Sequence, residues 1–137
     1  HPSGSLGAKL KTVGDLMYKG KEIPFINQNS NLKTALKVFN KKNLGVLIAK
    51  NNLGYTTGII SDGDFKRISS KSENIGGLLI KSVMNKNPII VNEDMLAAEA
   101  LSIMNSRKIT ALCVFKKNKK KTIGLIHMHK ILNANIL

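Results

Sequence analysis

The chain has 137 residues and a formal charge of +14, from 22 Lys+Arg against 8 Asp+Glu. Its apolar runs fall well short of the ~18 residues of a membrane span. The single cysteine, Cys113, excludes an internal disulfide and fits a reducing, cytoplasmic compartment. The basic residues include only two arginines, Arg67 and Arg107, and lysine, asparagine and isoleucine dominate throughout, as in the product of an AT-rich genome. With four Phe, two Tyr and no Trp there are few platforms for stacking bases. Neither nucleic acid nor a membrane is therefore an expected partner.

The first residues, His1-Pro2-Ser3-Gly4, have neither the basic head nor the apolar stretch of a signal peptide and no initiator Met. They read as an internal stretch of a longer protein. Ile23–Ile26 predicts a short strand. Ser30 then caps a helix from about Asn31 to Lys41, with Leu32, Ala35, Leu36 and Phe39 as its apolar stripe and Lys33, Lys37 and Lys41 on the wet side. Leu44–Ala49 is a buried strand, Asn51–Gly54 a turn, and Tyr55–Ile60 an antiparallel return. Asp62 or Asp64 caps a second helix through about Ser69.

The polar stretch Ser69–Gly77 reads as a linker. Leu78–Met84 leads into a second series: strand Pro88–Val91, a helix capped by Asn92 or Asp94 through Ser106, a hairpin of Thr110–Phe115 and Thr122–Ile126, and a closing helix Met128–Ala134. Lys116–Lys121 holds five lysines at the hairpin tip and reads as a solvated turn. Cys113 lies inside an apolar run and reads as an inert, buried thiol.

The second series repeats the first. Ala97, Ala100, Leu101 and Met104 each follow Leu32, Ala35, Leu36 and Phe39 by 65 residues. The offset is 66 at Gly58-Ile59-Ile60 against Gly124-Leu125-Ile126. Each unit reads β-α-β-β-α and is introduced by a short segment ending in Met, Asp15-Leu16-Met17 or Ser82-Val83-Met84. A lone unit of this size is marginal, so the two are expected to pack together.

This tandem, with Gly58-Ile59-Ile60-Ser61-Asp62-Gly63-Asp64-Phe65 closing the first unit, resembles the cystathionine-β-synthase (CBS) domain pair, or Bateman module. The resemblance covers about Val13 to Ala134. It implies an α+β fold of tandem CBS domains, packed through their sheets with pseudo-two-fold symmetry. On that reading residues 13–70 and 78–137 are the repeats, 71–77 the linker, and 1–12 a junction. A narrower similarity is to arabinose-5-phosphate isomerases, in which a sugar isomerase domain precedes a CBS pair. It rests on His1–Gly7 followed by Thr12–Met17, on Ser61-Asp62-Gly63-Asp64-Phe65-Lys66-Arg67, and on His127-Met128-His129. It implies that the parent protein interconverts ribulose 5-phosphate and arabinose 5-phosphate for Kdo and lipopolysaccharide synthesis, with His1 a remnant of the isomerase site.

The residues themselves suggest a nucleoside phosphate site. Asp64 can accept from ribose hydroxyls, and Ser61 can donate to phosphate beside helix-start amides. Lys66 and Arg67 add positive charge. Ile23, Pro24, Leu44, Gly45 and Val46 would form the slot for the base, with Gly45 allowing close backbone approach. Helix capping alone also accounts for Ser61 and Asp64.

At the equivalent places in the second unit stand His127 and Lys130. Lys130 cannot accept a hydrogen bond, so His127, His129 and Lys130 point instead to a phosphate or a sugar-acid carboxylate, or to a polar loop end without ligand. The two histidines lack further ligands at zinc spacing, and no metal is expected. With no Ser-His-Asp set, P-loop or GxGxxG, this stretch is not expected to be an enzyme by itself, and it needs no cofactor.

Two functions remain in view. One is a regulatory module binding a nucleotide or nucleotide-sugar, such as CMP-Kdo or an adenine nucleotide, in the cleft between repeats. The other is a ligand-free assembly module that forms a homodimer through its helices. A basic anion-binding or nucleic-acid-binding surface is the weakest reading.

Overall fold

Two three-stranded sheets, each with its own helices, account for the duplicated pattern. In chain order the elements are α1 (Val13–Leu16), β1 (Phe25–Asn27), α2 (Leu32–Lys42), β2 (Val46–Lys50), β3 (Thr56–Ser61), α3 (Asp62–Lys71), α4 (Ile80–Val83), β4 (Ile90–Asn92), α5 (Ala97–Arg107), β5 (Ala111–Phe115), β6 (Thr122–His127) and α6 (Met128–Asn133). They are seen in a computed structural model that describes residues 10–71 and 74–134. Most of the expected 1–12 junction, including His1, lies outside the described residues. The chain divides into two compact units. Lys21–Pro88 form one; the stretch ending at Gly20 and the stretch starting at Ile89 form the other.

In the unit of Lys21–Pro88 the strand order is β1-β2-β3. The α2 crossover makes β1 parallel to β2, with Phe25 beside Ile48, whereas the tight turn makes β3 antiparallel, with Val46 beside Ser61. Asn51 builds that turn, its Oδ1 accepting from the Leu53 and Tyr55 amides at 3.0 Å each. Leu32, Ala35, Leu47, Ala49, Ile60, Phe65, Ile68 and Ile80 form the core, and Phe39 meets Phe65 edge-on at 4.8 Å between ring centroids.

Two sequence expectations need correction here. Asn31, not Ser30, caps α2, because its Oδ1 reaches the Thr34 amide at 2.8 Å. Ser30 instead closes a turn onto the Asn27 carbonyl and accepts from the Ile80 amide. Leu36, expected in the buried stripe, is 43% exposed, whereas its counterpart Leu101 is 4% exposed.

The other unit repeats the topology as β4-β5-β6, with Ile90 beside Cys113 and Ala111 beside His127. Val13, Val91, Ala97, Ala100, Leu101, Met104, Leu112, Val114, Ile126 and Ile131 are its core. Neither Asn92 nor Asp94 caps α5. Leu96 occupies the N-cap without a side-chain bond, and Asn92 Oδ1 already accepts from the Asp94 amide at 2.9 Å. Cys113 is fully buried, and desolvation pushes its thiol up to about 12. No helix among the described residues is long and apolar enough to cross a membrane.

The short segments before each repeat pack on the sheet of the opposite repeat. Residues 80–85 join the first: Ile80 enters its core, and Asn85 exchanges backbone hydrogen bonds with Ile59 at 2.8 and 2.9 Å. Residues 12–18 join the second: Val13 enters its core, and Tyr18 exchanges bonds with Leu125 at 2.8 and 3.0 Å. Gly58 and Gly124 make room for this. Met84 lies where a Gly58 Cβ would be, and Met17 occupies the same place at Gly124. The spatial units therefore cut the chain differently from the sequence repeats.

Candidate functional site

The N-terminal ends of β1 and β2 and the C-terminal end of β3 meet at one edge of the first sheet, and most of the expected residues gather there. Strand β3 delivers Ser61 beside Val46, and the chain turns at once into α3, which carries Asp64 and Arg67 on its first two turns. The Asp62 amide reaches the Gly45 carbonyl at 3.4 Å, tying the helix start to the entry of β2. Extending the parallel register back from Phe25 and Ile48 sets Ile23 next to Val46. Pro24 lends its carbonyl to the Ile48 amide at 2.8 Å. Ile23, Pro24 and Val46 are buried, Leu44 is half-buried and Gly45 exposed.

Asp64 organises the polar side of this corner. Its Oδ2 accepts from the Ser61 amide at 2.9 Å and from Ser61 Oγ at 3.1 Å, while Oδ1 accepts from Arg67 Nη1 at 3.0 Å. Ser61 is thus the N-cap position, and Asp64, at the third helical residue, plays the reciprocal part of a capping box. Asp62, the other expected cap, instead pairs with Lys66 at 3.1 Å in solvent. A carboxylate offers about four acceptor sites, and three are used here. One lone pair on Oδ1 is left for a ligand hydroxyl. The Asp64 side chain is 15% exposed, shielded but not sealed.

Gly45 faces open space. Its φ is +75°, a conformation that L side chains rarely adopt, and nothing lies within 4 Å of where its Cβ would be. A flat ligand can therefore approach the backbone at this point. One cation was missed in the sequence reading: Lys42 Nζ donates to the Lys21 carbonyl at 2.5 Å, at the same end of the sheet. Its place in the last turn of α2, two residues before Leu44, is the signal that would have found it.

His127, His129 and Lys130 lie in the other unit. His127 is the N-cap of α6, its Nδ1 accepting from the His129 amide at 3.2 Å, and the two rings sit 4.9 Å apart. The Lys130 ammonium lies 5.2 Å from the centroid of the Tyr18 ring. This corner has cations and imidazoles where the first has a carboxylate. Among the described residues no group of three or more His, Cys, Asp or Glu is placed to hold a metal ion.

Fold and site together define a tandem of two β-α-β-β-α modules, each leaving one end of its sheet to a loop and a helix start. The chain belongs to the CBS domain family, whose pattern matches residues 13–71 and 80–136. It is 36% identical over 138 positions to arabinose 5-phosphate isomerase KdsD of Salmonella typhimurium, a match that takes in 100% of this chain and 42% of the relative. The chain thus spans about two fifths of the length of that relative. Among solved structures it resembles CBSX2 in complex with AMP, at TM-score 0.77 and 21% identity over 90% of this chain and 95% of that one. It also resembles the CBS domain of a bacterial CNNM/CorC family Mg2+ transporter in complex with ATP, at TM-score 0.78 and 18% identity over 98% of this chain and 94% of that one.

Proposed function

We propose that this chain is the regulatory part of an arabinose-5-phosphate isomerase and that it senses a nucleoside phosphate at the Gly45–Ser61–Asp64 corner. The observation that carries the reading is the state of Asp64: a shielded carboxylate with one free acceptor site, flanked by a hydroxyl and a guanidinium, on the helix whose start is tied to Gly45 and its open backbone. In this scheme the ribose hydroxyl takes the remaining lone pair of Asp64. Ser61 Oγ turns from Asp64 to the phosphate, and Arg67 neutralises charge. The base lies against Ile23, Pro24, Leu44 and Val46. Whole-chain identity to an isomerase supports the parent activity, and the AMP and ATP complexes of two structural neighbours support a nucleotide as the ligand class. CMP-Kdo is the end-product candidate that the resemblance to these isomerases implies.

The test is a thermal-shift and calorimetry panel of AMP, ATP, CMP and CMP-Kdo. A ligand at about 100 times its Kd stabilises the fold by roughly 2.7 kcal/mol, and Asp64→Ala removes that gain. Binding that survives Asp64→Ala, or no shift with any nucleotide, refutes the sensing role. A second reading, a homodimer built through the helices, is favoured by Leu36 on α2 and Leu132 on α6, which are 43% and 42% exposed. A stable dimer by light scattering that Leu36→Lys dissociates would support it; a monomer at every concentration would refute it.

A further inference from the structure

The tip of the β5–β6 hairpin does something its counterpart in the first unit does not. The first hairpin turns through Asn51-Asn52-Leu53-Gly54, which is uncharged. The second turns through Lys116–Lys121, where Lys116, Lys117, Lys119 and Lys120 are all exposed and, among the described residues, have no ion-pair partner. Asn118, in the left-handed region at φ 65°, folds the turn tightly. The turn residues 116–120 line a groove of about 440 Å3 together with Ile90, Asn92 and Phe115. The floor of that groove is apolar. Ile90 and Phe115 lie on the face of the sheet opposite the Val91–Leu112–Val114 core, and Ile90 remains 42% exposed.

We infer that this groove docks an acidic protein segment carrying one large apolar residue. Like charges crowded in one turn repel each other, so the arrangement is stabilised when an anionic partner neutralises them. A phosphate backbone or a lipid headgroup would use the lysines but leave Ile90 and the Phe115 ring in water. A peptide with carboxylates on either side of an aromatic residue satisfies both features at once: the ring covers Ile90 and Phe115, and the carboxylates meet the lysines. The groove is separate from the His127 corner. They sit at opposite ends of β5, four residues apart along the strand or about 13 Å, so one does not occlude the other.

The experiment uses the whole chain and two short peptides with neutral ends, Asp-Glu-Phe-Glu-Asp and the same peptide with Gly in place of Phe. Amide chemical-shift titration is expected to show saturable binding of the aromatic peptide, with perturbations at Ile90, Phe115 and residues 116–120. Affinity is expected to fall about tenfold between about 50 and about 300 mM salt. It should fall about tenfold or more in Lys117→Glu/Lys119→Glu, and further in Ile90→Asp. Both variants change exposed positions, and an unchanged melting temperature verifies that each is folded. Equal affinity for the glycine peptide, indifference to either variant, absence of binding at millimolar peptide, or tighter binding to phosphatidylglycerol vesicles or duplex DNA overturns the inference.

Discussion

Replacing Gly58 with alanine tests the exchanged packing directly. A Cβ there would fall 2.6 Å from the Met84 sulfur, 2.7 Å from Met84 Cγ and 2.8 Å from the Asn85 carbonyl oxygen. Met84 has rotatable bonds and can retreat at the cost of its packing. Asn85 cannot retreat without losing its two hydrogen bonds to Ile59. Overpacking of this kind costs about 1–3 kcal/mol, and weakening the pair of backbone bonds adds about 0.5–1.5 kcal/mol each. The expected loss for Gly58→Ala is therefore roughly 2–6 kcal/mol, read from urea denaturation. A double-mutant cycle with Met84→Ala separates the two contributions. Removing the thioether relieves the sulfur and Cγ clashes but not the Asn85 contact, so a favourable coupling of about 1 kcal/mol is expected with a residual penalty. A Gly58→Ala variant within about 0.5 kcal/mol of the parent, the usual scatter of harmless substitutions, would refute the account.

Three further outcomes follow from the same physics. Asp15 is held below its ordinary value by the backbone and side-chain hydrogen bonds of Thr12, so its folded state is the weaker base. Its contribution is fully present above its ordinary value of 3.8 and disappears as pH falls through the lower folded value. Asp15→Asn should melt earlier than the parent at neutral pH and converge with it in acid, as followed by melting temperature against pH. The Cys113 thiol, raised to about 12 by burial, should react with a disulfide reagent at pH 8 only at the rate of unfolding, and a fast phase in the native protein would contradict its burial. Lys108 ends α5 in the left-handed region at φ 58°, where a side chain costs about 1 kcal/mol relative to glycine. Lys108→Gly should therefore raise stability by up to about 1 kcal/mol in denaturant titration.

The duplication was legible because its apolar spacing is set by helix period and strand burial, which act locally. The Leu32 and Ala97 stripes, the two hairpins and the corner formed by Ser61, Asp64 and Gly45 all follow from patterns a few residues long. What escaped the sequence depends on partners far along the chain. Nothing near Ser30 and Asn31 distinguishes two good capping residues; the Ile80 amide, 50 residues on, decides by engaging the Ser30 carbonyl. Gly58 reads as part of the motif that carries the family resemblance and Gly124 as its repeat, yet at both the immediate physical demand is the thioether of Met84 or Met17. The exchange of leading segments left no local trace at all.

That exchange has a consequence for how the molecule is made and dissected. Lys21–Pro88 is one uninterrupted piece, complete with its own β3 neighbour, and has all its material once synthesis passes Pro88. The other half must hold Thr12 in waiting until Leu96 arrives and Tyr18 until Leu125 does, so its closure spans most of the polypeptide. Cutting in the linker between the repeats would strip each fragment of a border segment and expose a glycine notch in its sheet. A fragment beginning at Lys21 and ending at Pro88 keeps its border, whereas the other half needs a new join between its two stretches to become one continuous chain.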